Sequence, residues 1–116
     1  MNAKLKEIGK RNIVAEELIK HYYNLKKVLH NIKQTKTISK DDEDVFDDEV
    51  YITCQFFENI QVNLGLRNWF KEFTEAQTEI FAGLSHYYYK YEKDDALVSI
   101  FIDGYEQLVQ NEKELE

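Results

Sequence analysis

The densest set of chemistry-bearing side chains in this 116-residue chain is a run of seven acids in nine positions: Asp41, Asp42, Glu43, Asp44, Asp47, Asp48 and Glu49. Clustered carboxylates bind hard cations or basic groups. A calcium-binding loop of the EF-hand kind needs a glycine at its sixth position for a sharp turn, and this run has none, while a helical pattern of apolar residues passes straight through it. A basic protein surface is then the natural counterpart. The second unusual run is His86-Tyr87-Tyr88-Tyr89-Lys90-Tyr91. Successive residues on a helix point about 100° apart, so Tyr87, Tyr88, Tyr89 and Tyr91 cannot all share one buried face. Tyrosine offers large contact area with few rotors and a polar tip, which makes these four the expected companions of the acids in a partner-binding surface. Tyr22, Tyr23 and Tyr51 add to the supply.

Other residue patterns speak against a reactive centre. A di-iron bundle uses Glu-x-x-His pairs on two helices, but Leu18, Lys27 and Gly83 stand three residues before His21, His30 and His86. Glu17 lies four residues before His21, and Glu72, Glu75 and Glu79 share a helical face; pairs of this kind are usually surface contacts. There is neither a phosphate-cradling glycine loop nor a serine nucleophile elbow. Cys54 is the only cysteine, so no internal disulfide can form, and a lone Cys in an apolar stretch is expected to be a small buried hydrophobe in a reducing compartment. The sequence thus predicts a cytoplasmic protein without catalytic, cofactor-binding or metal-binding residues.

The elements that must position these groups are helical. The chain has no proline and only four scattered glycines, which removes the main obstacles to long helices. Leu5, Ile8, Asn12, Ala15, Leu18, Tyr22, Leu25, Leu29 and Ile32 follow steps of three and four and predict one long helix over 3–33. Phe46, Val50, Thr53, Phe57, Ile60 and Leu64 do the same for 41–64, with Ser39 as N-cap and Gly65 as the stop. Leu66, Phe70, Phe73, Gln77, Ile80, Leu84, Tyr87 and Tyr91 predict a third helix over 67–91. Leu97, Phe101, Gly104 and Leu108 predict a fourth over 95–112, fraying after Val109. Short connections favour antiparallel neighbours, so the expected fold is all-α: a single domain, 1–116, built as an elongated antiparallel bundle of about four helices. Residues 50–53 and 98–102 are β-branched enough to suit strands locally.

Charge divides the chain at Lys40. Residues 1–40 carry ten of the fifteen Lys and Arg against Glu7, Glu16 and Glu17, a net +7, whereas residues 41–116 set five basic against nineteen acidic side chains, a net −14. Acids in a first helical turn gain roughly 0.3–1 kcal/mol each from the helix dipole, but like charges three or four apart cost roughly 0.2–0.5 kcal/mol per pair. Helix stability alone therefore does not account for the acidic run. Three accounts remain: a solubilising tip, matching against the basic first helix, or a docking surface for a basic partner. The segment after Met1 is not a long apolar block, and no stretch nears the roughly 20 apolar residues that span a bilayer, so neither export nor membrane insertion is expected.

The reading that follows is a non-enzymatic protein–protein interaction module that docks a basic partner through its acids and self-associates as a homo-oligomer. In size and composition alone the chain is similar to small acidic helical proteins of phages and mobile elements that inhibit a host or defence protein, and to cytosolic immunity bundles. That likeness implies an inhibitor or accessory role and carries no residue across. Two alternatives belong to other classes. One is a nucleic-acid-associated protein using the basic first helix, against which stand an overall charge of −7 and a pI near 5.0, because binders of nucleic acid are usually basic as whole domains. The other is a small helical enzyme or metal protein built on Cys54 or the histidines.

Overall fold

Apolar side chains at steps of three and four give each segment one face to bury, and in the computed structural model every such segment is helix. The structure describes residues 2–61, 66–90 and 95–115, with side chains outside the description at 56–61 and 89–90. Five helices follow in order: α1 (Ala3–Arg11), α2 (Ile13–Thr35), α3 (Lys40–Gln61), α4 (Asn68–Lys90) and α5 (Asp95–Lys113). The all-α class expected from the sequence holds. No strand occurs among the described residues, and 50–53 and 98–102 are turns of α3 and α5. The expected stop at Gly65 lies outside the described residues.

The long first helix expected over 3–33 is in fact two. Asn12 leaves helical geometry, with φ −145° and ψ 117°, and its Oδ1 accepts hydrogen bonds from the Val14 and Ala15 amides at 3.0 Å each. An asparagine cap of this kind stabilises a helix start by about 1 kcal/mol, which favours a restart over carrying a polar side chain into the core. Asn2 caps α1 in the same way, its Oδ1 accepting from the Lys4 amide at 2.9 Å. The break lets α1 fold back along α2: Gly9 comes beside Glu16 and Ile19, and the Asn2 amide donates to the Tyr23 hydroxyl. An unbroken helix over 3–33 would run about 46 Å; the folded molecule measures 43 × 25 × 20 Å in all.

Helices α2 to α5 form an up-down bundle. Phe46 meets Tyr88 across α3 and α4, Gln77 reaches Leu108 and Gly104 lies against Leu84 across α4 and α5, and Lys26 meets Glu112 across α2 and α5. Across α2 and α5 Lys33 meets Glu106 while Lys26 meets Glu112, and across α3 and α4 Thr53 lines one cavity with Phe73 and Gln77 while Phe46 meets Tyr88, so on all three pairs rising numbers on one helix meet falling numbers on the other, which is antiparallel packing. The central α2 touches α1, α3 and α5, and α4 closes the gap between α3 and α5. Leu5, Leu25, Leu29, Ile32, Phe46, Phe70, Phe81, Phe101, Leu97 and Leu108 are fully buried there. Each such side chain contributes roughly 1.5–3 kcal/mol relative to exposure.

Two details of the expected faces change. On α4 it is Tyr88, four residues after Leu84, that continues the core face: its ring stacks on Phe101 with centroids 6.2 Å apart, whereas Tyr87 is exposed. At the end of α5 the predicted fraying does not occur. The helix continues to Lys113 because Glu112 is buried there and held by three donors, and Leu115 packs against the core beyond it.

Candidate protein-docking face

The seven clustered acids have different surroundings. Asp42 belongs to the start of α3: the Asp42 amide donates to Ser39 Oγ at 3.0 Å and the Ser39 amide donates to Asp42 Oδ2 at 3.2 Å, a reciprocal capping box. Ser39 is thus the N-cap that the sequence predicts. Glu49 ties α3 to α2, because its Oε2 lies 2.5 Å from His21 Nδ1 and its Oε1 accepts from Asn24 Nδ2 at 3.1 Å. Glu17 approaches the same imidazole at 3.9 Å. Glu43 and Asp47 are half-buried. Asp41, Asp44 and Asp48 are left facing outward. Their spacing of three and four keeps them on one helical face together with the exposed Val45 and Tyr51.

Beside that stripe, α3 and α4 bound a surface groove of about 470 Å³ lined by Asp47, Val50, Tyr51, Cys54, Ala82 and Ser85. Tyr51 is 67% exposed at its edge, so its ring is not part of the core. Tyr87 is exposed and packs edge-on against His86 at 5.8 Å. Of the tyrosines expected to join the acids, Tyr88 goes to the core edge instead, the Tyr89 side chain lies outside the description, and Tyr91 lies outside the described residues. Glu72, Glu75 and Glu79 are exposed along α4, which extends the acidic character of the molecule without adding an apolar anchor.

A second, quite different cluster surrounds Glu112. Its carboxylate accepts from the Tyr22 hydroxyl at 3.1 Å, from the Tyr23 hydroxyl and from Lys26 Nζ, while its backbone carbonyl accepts from Asn2 Nδ2 at 3.2 Å. Gln77 continues the network: its Nε2 donates to the Tyr22 hydroxyl at 3.0 Å, and its Oε1 accepts from Asn111 Nδ2 at 2.7 Å. Burial, then the nearby Glu112 charge, pushes the Tyr22 hydroxyl far above its ordinary value; burial, then the hydrogen bond to Glu112, does the same to Tyr23. Burial alone would raise the Glu112 carboxyl, but the hydrogen bonds from Lys26, Tyr23 and Tyr22 outweigh it and hold the group below its usual range. Tyrosines locked as donors to a stabilised carboxylate are poor acids and poor nucleophiles. The cluster joins α1, α2, α4 and α5, and its chemistry is that of a structural tie.

Basic side chains are divided in the same way. Lys26 and Lys33 pair with Glu112 and Glu106 of α5, and Arg11 pairs with Glu7 within α1. Lys6, Lys10 and Lys20 stand exposed around a groove between α1 and α2. Lys4 lies over the Trp69 ring, 5.7 Å from its centroid. Among the described residues no three His, Cys, Asp or Glu side chains converge to hold a metal ion, and no helix is long and apolar enough to cross a membrane.

Sequence reasoning missed the Glu112 tie and the exposure of Ile13, which is 78% accessible at the first turn of α2. Glu112 had a signal, since it falls four residues after Leu108 on the buried stripe of α5. Ile13 is not on the predicted apolar stripe, so the spacing itself was the signal for its exposure. No family model, no curated protein and no solved structure matches the chain.

Proposed function

We propose that this chain is a non-enzymatic protein-binding module whose α3 face docks a basic partner. The observation that carries the reading is the composition of that face: Asp41, Asp44 and Asp48 make no side-chain ion pair or hydrogen bond among the described residues, and they flank the exposed apolar side chains of Val45 and Tyr51. Single-sign charge around an apolar anchor is how interfaces combine steering with contact area. Such a face suits an inhibitor or accessory protein that covers a basic site on its target. The nucleic-acid alternative has weaker support, because Lys26, Lys33 and Arg11 are already paired with acids of the same chain.

The test is affinity capture from native extract with the wild-type chain and with the Asp41→Asn/Asp44→Asn/Asp48→Asn variant. Retention of a basic protein by the wild type and its loss by the variant, with helicity unchanged, is the expected result. Equal retention by both would remove this face from consideration.

A further inference from the structure

Four large apolar side chains are exposed among the described residues, and they divide by charge environment. Val45, Tyr51 and Tyr87 lie on α3 and α4, with Asp41, Asp44 and Asp48 around the first two. Ile13 stands alone on α2, where Glu16 and Lys20 share its helical face at steps of three and four. Glu16 and Lys20 also line the α1–α2 groove, about 470 Å³, together with Lys6, Gly9, Lys10 and Ile19 among others. Its rim is thus three lysines against one glutamate, with lysine stems supplying apolar wall.

We propose that this α1–α2 groove receives the α3 face of a second copy of the chain, with Tyr51 entering the groove and Asp41, Asp44 and Asp48 meeting Lys6, Lys10 and Lys20. The proposal rests on the docking reading of the α3 face and names its partner. Charge complementarity selects the occupant: the groove is basic in a chain of net charge −7, and the acidic stripe with its aromatic anchor sits on the same polypeptide. The lengths agree as well. Residues 41–51 rise about 15 Å along α3, and nine-residue α1 spans about 13 Å, at 1.5 Å per residue. Net repulsion between two acidic copies does not prevent this, since at physiological salt charges are screened beyond about 8 Å while the opposed rims lie in contact. The contact joins two different patches, so each bound copy still offers one face of each sign.

Sedimentation equilibrium of the full chain over a concentration series, at low and at physiological salt, tests the idea with two charge-reversal variants. Wild type should self-associate, more strongly at low salt. Lys6→Glu/Lys10→Glu/Lys20→Glu and Asp44→Lys/Asp48→Lys should each weaken self-association by about tenfold or more. An equimolar mixture of the two should associate again, because one variant keeps the intact acidic face and the other the intact groove; a misfolded variant could not restore it. A monomeric wild type, association indifferent to both variants, or a mixture that stays monomeric would each overturn the proposal. A synthetic Lys/Leu amphipathic helix serves as a separate basic probe. If it binds wild type and the groove variant but not the Asp44→Lys/Asp48→Lys variant while wild type stays monomeric, the docking face stands and only the second-copy assignment falls; if neither the probe nor a second copy binds, both fall.

Discussion

Glu112 and Asp48 are both carboxylates on helices of one acidic chain, yet their surroundings oppose each other. Glu112 is 8% exposed and held by Tyr22, Tyr23 and Lys26, whereas Asp48 is exposed beside Val45 and Tyr51 and has no such set of donors. Position along the sequence hides this, because the crowded run at 41–49 looks like the special feature and Glu112 looks like tail. The folded molecule reverses the weighting for stability. An acid that holds the fold is surrounded by donors; an acid available to a partner is surrounded by solvent and an unused apolar side chain.

The largest expected effect comes from removing Glu112. Glu112→Ala strips the partner from a half-buried Lys26 and the acceptor from two tyrosine hydroxyls, and breaking a buried pair in this way costs about 3–5 kcal/mol. Urea unfolding measures it. Glu112→Leu combined with Lys26→Met should recover much of the loss, since replacing both partners leaves no stranded charge. A Glu112→Ala loss no greater than that of Asp48→Ala would erase the contrast between the two regions.

Acid titration of stability gives the same contrast a sign. The Glu112 carboxyl is depressed in the folded state relative to its ordinary 4.5, so the folded state binds a proton less readily than the unfolded one. Its stabilising contribution is present above the unfolded value and is lost as pH falls through the lower folded value. Wild type should therefore lose stability as pH drops below about 4.5, and Glu112→Gln should show a shallower fall over that range. Parallel curves would mean that other carboxylates carry the acid sensitivity.

How much of this was legible follows from particular side chains. Leu18, Leu25, Leu29, Phe46, Phe70, Leu97 and Phe101 were all placed on buried faces by spacing alone and are buried, because burial of an apolar stripe is a local, periodic demand. Asn12 occupies a stripe position, and whether an asparagine there caps a new helix or is carried along depends on whether α1 can fold back on α2. Spacing does not separate Tyr87 from Tyr88 for a similar reason: both lie within a helical step of Leu84, and only the location of Phe46 and Phe101 decides which ring goes inward. Of the α3 face proposed for docking, Asp41, Asp44 and Asp48 are legible by composition. That Asp42 would cap and Glu49 would join α2 depends on Ser39, His21 and Asn24, partners that spacing within α3 does not reveal.

Within the acidic run itself, a smaller effect separates cap from surface. Ser39→Ala removes the oxygen that accepts from the Asp42 amide and should cost about 1 kcal/mol, measurable as a lower urea midpoint with an unchanged slope. Asp42→Ala should cost a similar amount, because the box is reciprocal. If both substitutions are silent, the cap does not distinguish Asp42 from its neighbours, and the division of the run fails at that point.

The smallest stability effect belongs to the outward acids. Asp41 lies in the first turn of α3, where neutralising it to Asn forfeits roughly 0.3–1 kcal/mol of dipole interaction. Asp44 and Asp48 are past that turn, and neutralising all three relieves the repulsion of Asp44 with Asp41, Asp47 and Asp48 while forfeiting the attraction of Lys40 for Asp44, each roughly 0.2–0.5 kcal/mol. These contributions nearly cancel, so Asp41→Asn/Asp44→Asn/Asp48→Asn should change unfolding stability by no more than about 0.5 kcal/mol. A gain well beyond that would mean the run stores repulsion that the fold tolerates for the sake of a bound partner. A large loss would instead assign these three acids to the fold, beside Glu112, and leave the α3 face without a claim to binding.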